Sequence, residues 1–248
     1  MEEPRLVPDT AGDARPQTDT ACGIWDCTAP WPNLPGDIAF ASLRFNPDRL
    51  LASQGAGRIP LPEQLHSARQ NRRADYIAGR LCASSTVERL GGRNLHVGRR
   101  SDGAPLWPYG LCGSISHIHG QALAVASPIR TYRSLGVDVE RILSPTQANA
   151  LTPMILTHAE RSRFDEYPPE LAATTVFSLK EALFKLLHPL TGVMFFHEQA
   201  EVLSLHPDGR ATLRLLETLS TQWQAGVTLP ALWSSTGGLV FSITLIAG

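Results

Sequence analysis

Two helical stretches, about Glu63 to Leu90 and about Glu170 to His188, each lie among short strand-like segments cut by Gly and Pro, and this mixture restricts the chain to an α+β architecture. The first stretch stops at Gly91-Gly92, a pair suited to a helix C-terminus, and the second at Pro189 and Gly192. Strand patterns fall at Asp37 to Leu43, at Gly113 to His117 and Ala122 to Ala126 around a turn at Gly120, and at Leu135 to Glu140. Ala200 to Leu205 and Ala211 to Leu216 flank Pro207-Asp208-Gly209 as a hairpin, and a last pair surrounds Gly237-Gly238. Gly55, Gly57 and Pro60 predict a loop, as does Gly103 to Pro108, whereas Thr157-His158-Ala159-Glu160 has the form of a capping box opening a short helix.

The sheets are expected to be largely antiparallel, arranged as two similar halves that each pack a small sheet with one long helix. Residues 1–35, rich in Pro, Asp, Thr and Gly, read as an irregular segment whose later part Trp25 and Trp31 could pin. The short, polar and basic stretch Ser127 to Ser134 predicts a boundary near residue 130, giving halves at 36–130 and 131–248. No internal repeat is strong enough to argue duplication.

A net charge of -1 over 248 residues provides no global basic field for nucleic acid, so a charged partner must meet a local patch. Polar residues interrupt every apolar segment before the roughly 20 residues of a membrane span, and the N-terminus lacks the pattern of a signal peptide; a cytoplasmic protein is the expectation. Cys22, Cys27, Cys82 and Cys112 contain no C-x-x-C pair and read as reduced, structural residues, since a metal pair at Cys22 and Cys27 needs two further ligands. Met154 and Met194 read as packing residues.

The chemistry concentrates in two acidic segments. In Gly136-Val137-Asp138-Val139-Glu140 the strand period aims Asp138 and Glu140 to one face while Val137 and Val139 enter the core. In Phe177-Ser178-Leu179-Lys180-Glu181-Ala182-Leu183-Phe184-Lys185 a helical period sets Glu181 and Lys185 on one face, one turn apart, beside an apolar stripe of Leu179, Leu183 and Leu186. Taken singly, these are a strand end in solvent and a surface ion pair worth about 0.3–0.5 kcal/mol. Taken together, Asp138, Glu140 and Glu181 supply the oxygen ligands that Mg2+ or Mn2+ prefers when it holds a phosphate ester, and the histidines show no zinc spacing. Lys180, set among apolar residues, needs a partner or a task. His117, beside Ser116, is either a neutral core histidine or a phosphate contact. The four arginines between Arg69 and Arg80 are either a solvated face or an anion-binding one.

These two segments resemble the signature motifs of the 4′-phosphopantetheinyl transferases. Arg73-Ala74-Asp75-Tyr76-Ile77-Ala78-Gly79-Arg80, Pro105-Leu106-Trp107-Pro108 and Gly113-Ser114-Ile115-Ser116-His117 extend the resemblance to the branch of the enterobactin synthase D component and the broad-specificity pseudomonad carrier-protein synthases. It covers Asp37 to the C-terminus. It implies a monomer of two similar halves with coenzyme A and a metal in the cleft between them, transferring the 4′-phosphopantetheine arm to a serine of an apo acyl or peptidyl carrier protein. Asp138, Glu140 and Glu181 match the magnesium ligands. Ser116 and His117 match a segment touching the coenzyme's phosphates, Lys185 a lysine near the pyrophosphate, and Arg73 and Arg80 a motif facing coenzyme A. The base that takes the serine proton would be Glu181 or a water held at the metal. Many relatives carry Gly-Lys-Pro in the adenine-side loop where this chain has Gly103-Ala104-Pro105, so another cation, Arg99 or Arg100, would have to compensate. The alternatives are a magnesium-dependent phosphoesterase or nuclease using the same carboxylates on water, and a non-catalytic module that binds coenzyme A or carrier domains.

Overall fold

The computed structural model describes residues 23–92 and 96–248. In chain order they form β1 (Ile24–Asp26), β2 (Ala39–Arg44), α1 (Pro47–Ala52), α2 (Gln54–Gly57), α3 (Glu63–His66), α4 (Gln70–Arg89), β3 (Gly98–Arg99), β4 (Pro105–Leu106), β5 (Leu111–Ile118), β6 (Gln121–Pro128) and β7 (Tyr132–Arg141). There follow α5 (Pro145–Ile155), α6 (His158–Arg163), α7 (Pro169–Thr191), a 3-10 turn at His197–Gln199, and β8 (Ala200–Leu205), β9 (Arg210–Leu215), β10 (Thr228–Thr236) and β11 (Leu239–Ala247). The strands assemble as β1-β2-β6-β5, as β7-β11-β10-β9-β8 and as the small pair β3-β4, with every pairing antiparallel. The class is α+β, as expected.

Three apolar clusters stack in layers. Helix α4 covers one face of the first sheet through Ala74, Ile77, Ala78, Cys82 and Val87, and α7 covers the second through Val176, Leu179, Leu183, Leu186 and Leu187. Between the sheets a third cluster joins Trp31, Phe40, Leu123, Val125, Val137, Val139 and Ile243. Strand β6 is therefore buried on both faces: Ala122 and Ala124 serve the α4 layer while Leu123 and Val125 serve the layer between the sheets. That explains its unbroken apolar run. Trp31 sits in the central layer and donates Nε1–H to the Phe241 carbonyl at 3.1 Å, pinning the segment before β2.

Several expectations need correction. The helix expected from Glu63 to Leu90 is two helices, because α3 buries none of its residues while α4 buries an entire face, and Arg69 between them is extended at φ -57, ψ 147. Helix α7 runs through Pro189 to Thr191: in the last turn the proline forfeits only one N–H, and Gly192 at φ 68 closes the helix with its N–H on the His188 carbonyl. The glycine-bearing loop after β2 contains α2, and the segment read as irregular contributes β1, paired with β2. Helix α5 was not expected, although Ser144 and Gln147 form a capping box with Pro145 at its first position. Met154 and Met194 are 72% and 60% exposed and pack no core. The glycine stop at Gly91, the turn at Gly120 and the Thr157 capping box all form as expected. Cys27, Cys82 and Cys112 are free thiols, whereas Cys22 lies outside the described residues.

Candidate functional site

Strand β7 faces α7 with Gly136, Asp138 and Glu140, and the central apolar layer with Val137 and Val139. The helix approaches so closely at Gly136 that an added Cβ would collide with the Ala182 carbonyl oxygen and the Leu186 amide. Two hydroxyls of the second sheet fix the helix in that register. Ser134 Oγ donates to the Leu186 carbonyl at 2.7 Å, and Thr244 Oγ1 donates to the Ala182 carbonyl at 3.1 Å. Glu181 and Lys185 each immediately precede one of the two anchored residues, Ala182 and Leu186, so the register of α7 on β7 is what carries them to Asp138 and Glu140.

Lys185 Nζ lies 2.6 Å from Asp138 Oδ1 and donates to Ser116 Oγ at 2.9 Å, while Ser116 Oγ donates to the same Asp138 oxygen at 2.8 Å. Asp138 is 2% exposed, and its other oxygen, Oδ2, is buried without a hydrogen-bond partner. Burial, reinforced by Asp138 and Glu181 and opposed by Lys185, pushes the Glu140 carboxyl up to about 7. Glu181 is raised too, by burial first and then by Asp138, again opposed by Lys185. A single ammonium thus serves three carboxylates that repel one another, and the cluster is short of positive charge. His117 is pushed down to about 4, chiefly by burial and further by Arg72, Lys185 and Arg80, so it is neutral at pH 7 and offers one N–H and one lone pair.

Beside this cluster opens a cavity of about 590 Å3, within the range of small-molecule sites, lined by Gly103, Ala104, Pro105, Trp107, Ser114 and Lys185 among others. Trp107 Nε1 there is buried and unpartnered. Gly103 takes φ +91, and Arg99 closes over it, its Nη2 lying 3.1 Å from where a Cβ would stand. Arg100 reaches the same cavity and pairs with Asp102 at 3.4 Å.

The structure therefore gathers Gly103, Ala104, Pro105 and Lys185 around one cavity and joins Ser116, Asp138 and Lys185 by hydrogen bonds, with His117, Glu140 and Glu181 in electrostatic reach. Arg80, 7% exposed, lies 4.9 Å over the Tyr76 ring beside a separate cavity of about 40 Å3 and reaches the site through its field on His117. Arg73 buries an Nε that has no hydrogen-bond partner. Sequence reasoning did not single out Arg72, which bears on His117, nor Arg133 and His188, which line the cavity. It also missed His197, whose Nε2 is 3.8 Å from Glu181 Oε1 and whose ring packs on Phe177 at 4.9 Å. Its only signal is proximity in space, because a loop separates it from α7. Lys180 lies outside the site and pairs with Glu160, as shown below.

Among the described residues no three His, Cys, Asp or Glu side chains are gathered closely enough to hold a metal ion as they stand. The donor chemistry nevertheless suits a hard cation: oxygen donors only, a deficit of positive charge, and a buried carboxylate oxygen, Asp138 Oδ2, that no protein group satisfies.

Residues 61–127 match the 4′-phosphopantetheinyl transferase N-terminal domain, and residues 134–243 match the 4′-phosphopantetheinyl transferase superfamily. Enterobactin synthase component D of Salmonella typhi is 35% identical over 191 residues, covering 76% of this chain and 77% of that protein. The 4′-phosphopantetheinyl transferase Npt of Nocardia iowensis is 32% identical over 181 residues, covering 72% and 78%, and Svp of Streptomyces mobaraensis is 32% identical over 191 residues, covering 72% and 71%. The chain belongs to the 4′-phosphopantetheinyl transferase superfamily. It is an enzyme that moves the 4′-phosphopantetheine arm of coenzyme A onto carrier proteins, and neither the phosphoesterase nor the non-catalytic reading finds support. No helix among the described residues is long and apolar enough to cross a membrane.

Proposed function

We propose that coenzyme A lies in the cavity of about 590 Å3 with its adenine end at Gly103-Ala104-Pro105 and its pyrophosphate at Lys185 and His117, and that the acceptor is a carrier-protein serine. The observation that carries this reading is the Ser116–Asp138–Lys185 hydrogen-bonded cluster, whose Lys185 lines that cavity. The serine oxygen forms a bond to the phosphorus nearer the pantetheine arm, the bond from that phosphorus to the bridging oxygen breaks, and adenosine 3′,5′-bisphosphate leaves. The serine proton goes to Glu181 or to a water held beside it at the cation, the two acceptors the site offers. Lys185 presents a fixed positive charge to the pyrophosphate, and neutral His117 contributes a hydrogen bond without adding charge.

Asp138, Glu140 and Glu181 would hold Mg2+ or Mn2+, which supplies charge neutralisation and alignment at the pyrophosphate. Arg100 is the cation that stands in for the lysine missing at Ala104, because it already lines the cavity. Arg80 and Arg73 contribute to the coenzyme face of α4. The chain works as a cytoplasmic monomer of two halves divided between Pro128 and Tyr132, where the strands of one sheet end and those of the other begin. Relatives named for enterobactin synthase favour carriers of siderophore and nonribosomal-peptide assembly among its acceptors.

The test is incubation with coenzyme A, Mg2+ and an apo carrier, read by mass spectrometry. The wild-type enzyme adds the phosphopantetheine mass to the carrier, and Asp138→Ala, with its circular dichroism unchanged, adds none. Near-normal turnover by that variant in Mg2+ would remove Asp138 from the reaction.

A further inference from the structure

Strands β5 and β7 run side by side, yet each is the edge of a different sheet, and no backbone ladder joins them. Two N–H groups of β7 are met by β5 side chains instead. Val137 N–H donates to Ser114 Oγ at 3.1 Å, and Val139 N–H donates to Ser116 Oγ at 3.4 Å. The Ser-x-Ser spacing of β5 thus matches the period of β7, and the two anchored residues bracket Asp138 in the chain.

Ser116 does more than close the seam. A hydroxyl has one proton to donate and two lone pairs to accept with. Ser116 Oγ donates to Asp138 Oδ1 at 2.8 Å and accepts from Lys185 Nζ at 2.9 Å as well as from Val139 N–H, so all three capacities are used within the protein. Asp138 Oδ1 is held by Ser116 and Lys185 together, and Oδ2, buried and unpartnered, is the oxygen left over.

We propose that Ser116 is a positioning residue whose hydroxyl, saturated by Asp138, Lys185 and the Val139 amide, fixes Asp138 so that Oδ2 is the atom presented to the divalent cation, with Ser114 holding the strand frame from the other side. This rests on the proposed metal role of Asp138. It departs from the role the resemblance implied, because a hydroxyl with no free capacity has none to spend on a phosphate.

The experiment uses the full-length enzyme and Mn2+ itself as the probe. Mn2+ affinity is read from the electron paramagnetic resonance signal of the free ion, coenzyme A affinity without metal from calorimetry, and turnover as separate kcat and KM. Ser116→Ala should weaken Mn2+ binding about ten- to a hundredfold, the usual effect of removing a group that orients a ligand. It should lower kcat while leaving the metal-free coenzyme A affinity and the coenzyme A KM unchanged, and Ser116→Thr, which restores the hydroxyl, should recover Mn2+ binding. If the alanine variant does not fold, Ser116→Cys keeps the volume, loses the strong hydroxyl and carries the same expectation. Wild-type Mn2+ affinity in these variants, or a fall in metal-free coenzyme A affinity instead, overturns the inference alone. A wild-type enzyme that binds no Mn2+ overturns the metal reading and this inference with it.

Discussion

Lys180→Met tests how the second half is held together. Lys180 and Glu160 are 1% and 0% exposed at their side chains, with Nζ 2.8 Å from Glu160 Oε2. Glu160 also accepts the Thr157 N–H at 2.7 Å and the Val202 N–H at 2.6 Å, while Lys180 donates its second bond to the Ile155 carbonyl at 2.9 Å. One pair thus ties α7 to α6, to β8 and to the end of α5. Burial lowers the Lys180 pKa, and Glu160 is the main opposing influence, so each charge is tolerated only because of the other. Methionine fills a similar volume but leaves the carboxylate buried with two amide donors and no cation, at a cost of about 3–5 kcal/mol. At about 2–4 °C per kcal/mol for a chain of this size, the melting temperature should fall by roughly 6–20 °C by scanning calorimetry. The double variant Glu160→Leu with Lys180→Met should recover only part of that loss, because it removes the unpaired charge but leaves the Thr157 and Val202 N–H groups and the Ile155 carbonyl without their partners. A single variant melting within about 2 °C of the wild type would refute the account, since it would mean the carboxylate is satisfied without its lysine.

Other expected outcomes follow from the same geometry. Gly136→Ala should destabilise the protein by several kcal/mol, about the upper range of core substitutions, and displace α7, so that transfer is lost together with the near-UV circular dichroism; a folded, active variant would show that the helix can retreat without cost. Because Glu140 is raised from 4.5 to about 7, the folded state binds more protons than the unfolded one between those values, and metal-free stability should decline as pH rises through that window; Glu140→Gln should flatten the decline in urea melts, and an unchanged slope would assign the dependence elsewhere. Arg100→Ala should raise the coenzyme A KM with little change in kcat, by about tenfold if the charge meets a phosphate, and an unchanged KM would remove it from the coenzyme site.

Much of the site was legible because its spacing is local. Asp138 and Glu140 share a face because a strand alternates, and Glu181 and Lys185 share one because a helix turns, whatever the rest of the chain does. The hairpins at Gly120 and Pro207-Asp208-Gly209 and the cap at Thr157 were likewise local chemistry. Errors fell where packing overrode local preference. The helix expected from Glu63 broke at Ser67 to Arg69 because only its second part found a sheet to cover, and Pro189 did not end α7 because it forfeits a single backbone bond in a helix held down by its packed face, leaving the stop to Gly192. Met194 has the same apolar character as a core residue, and only its position on the cavity rim leaves it exposed.

The sequence by itself determined the α+β class, the four charged residues of the cluster and, through ordered motifs, the family. Tertiary structure alone decided that β5 and β7 lie edge to edge with serine hydroxyls between them, that Lys180 belongs to Glu160 while its neighbour Glu181 faces Asp138, and that His197 stands beside Glu181. The physical reason is one of range. Backbone period and turn chemistry act over a few residues and can be read along the chain, whereas the charge and hydrogen-bond partners of a buried group are set by segments that meet only when the apolar layers close.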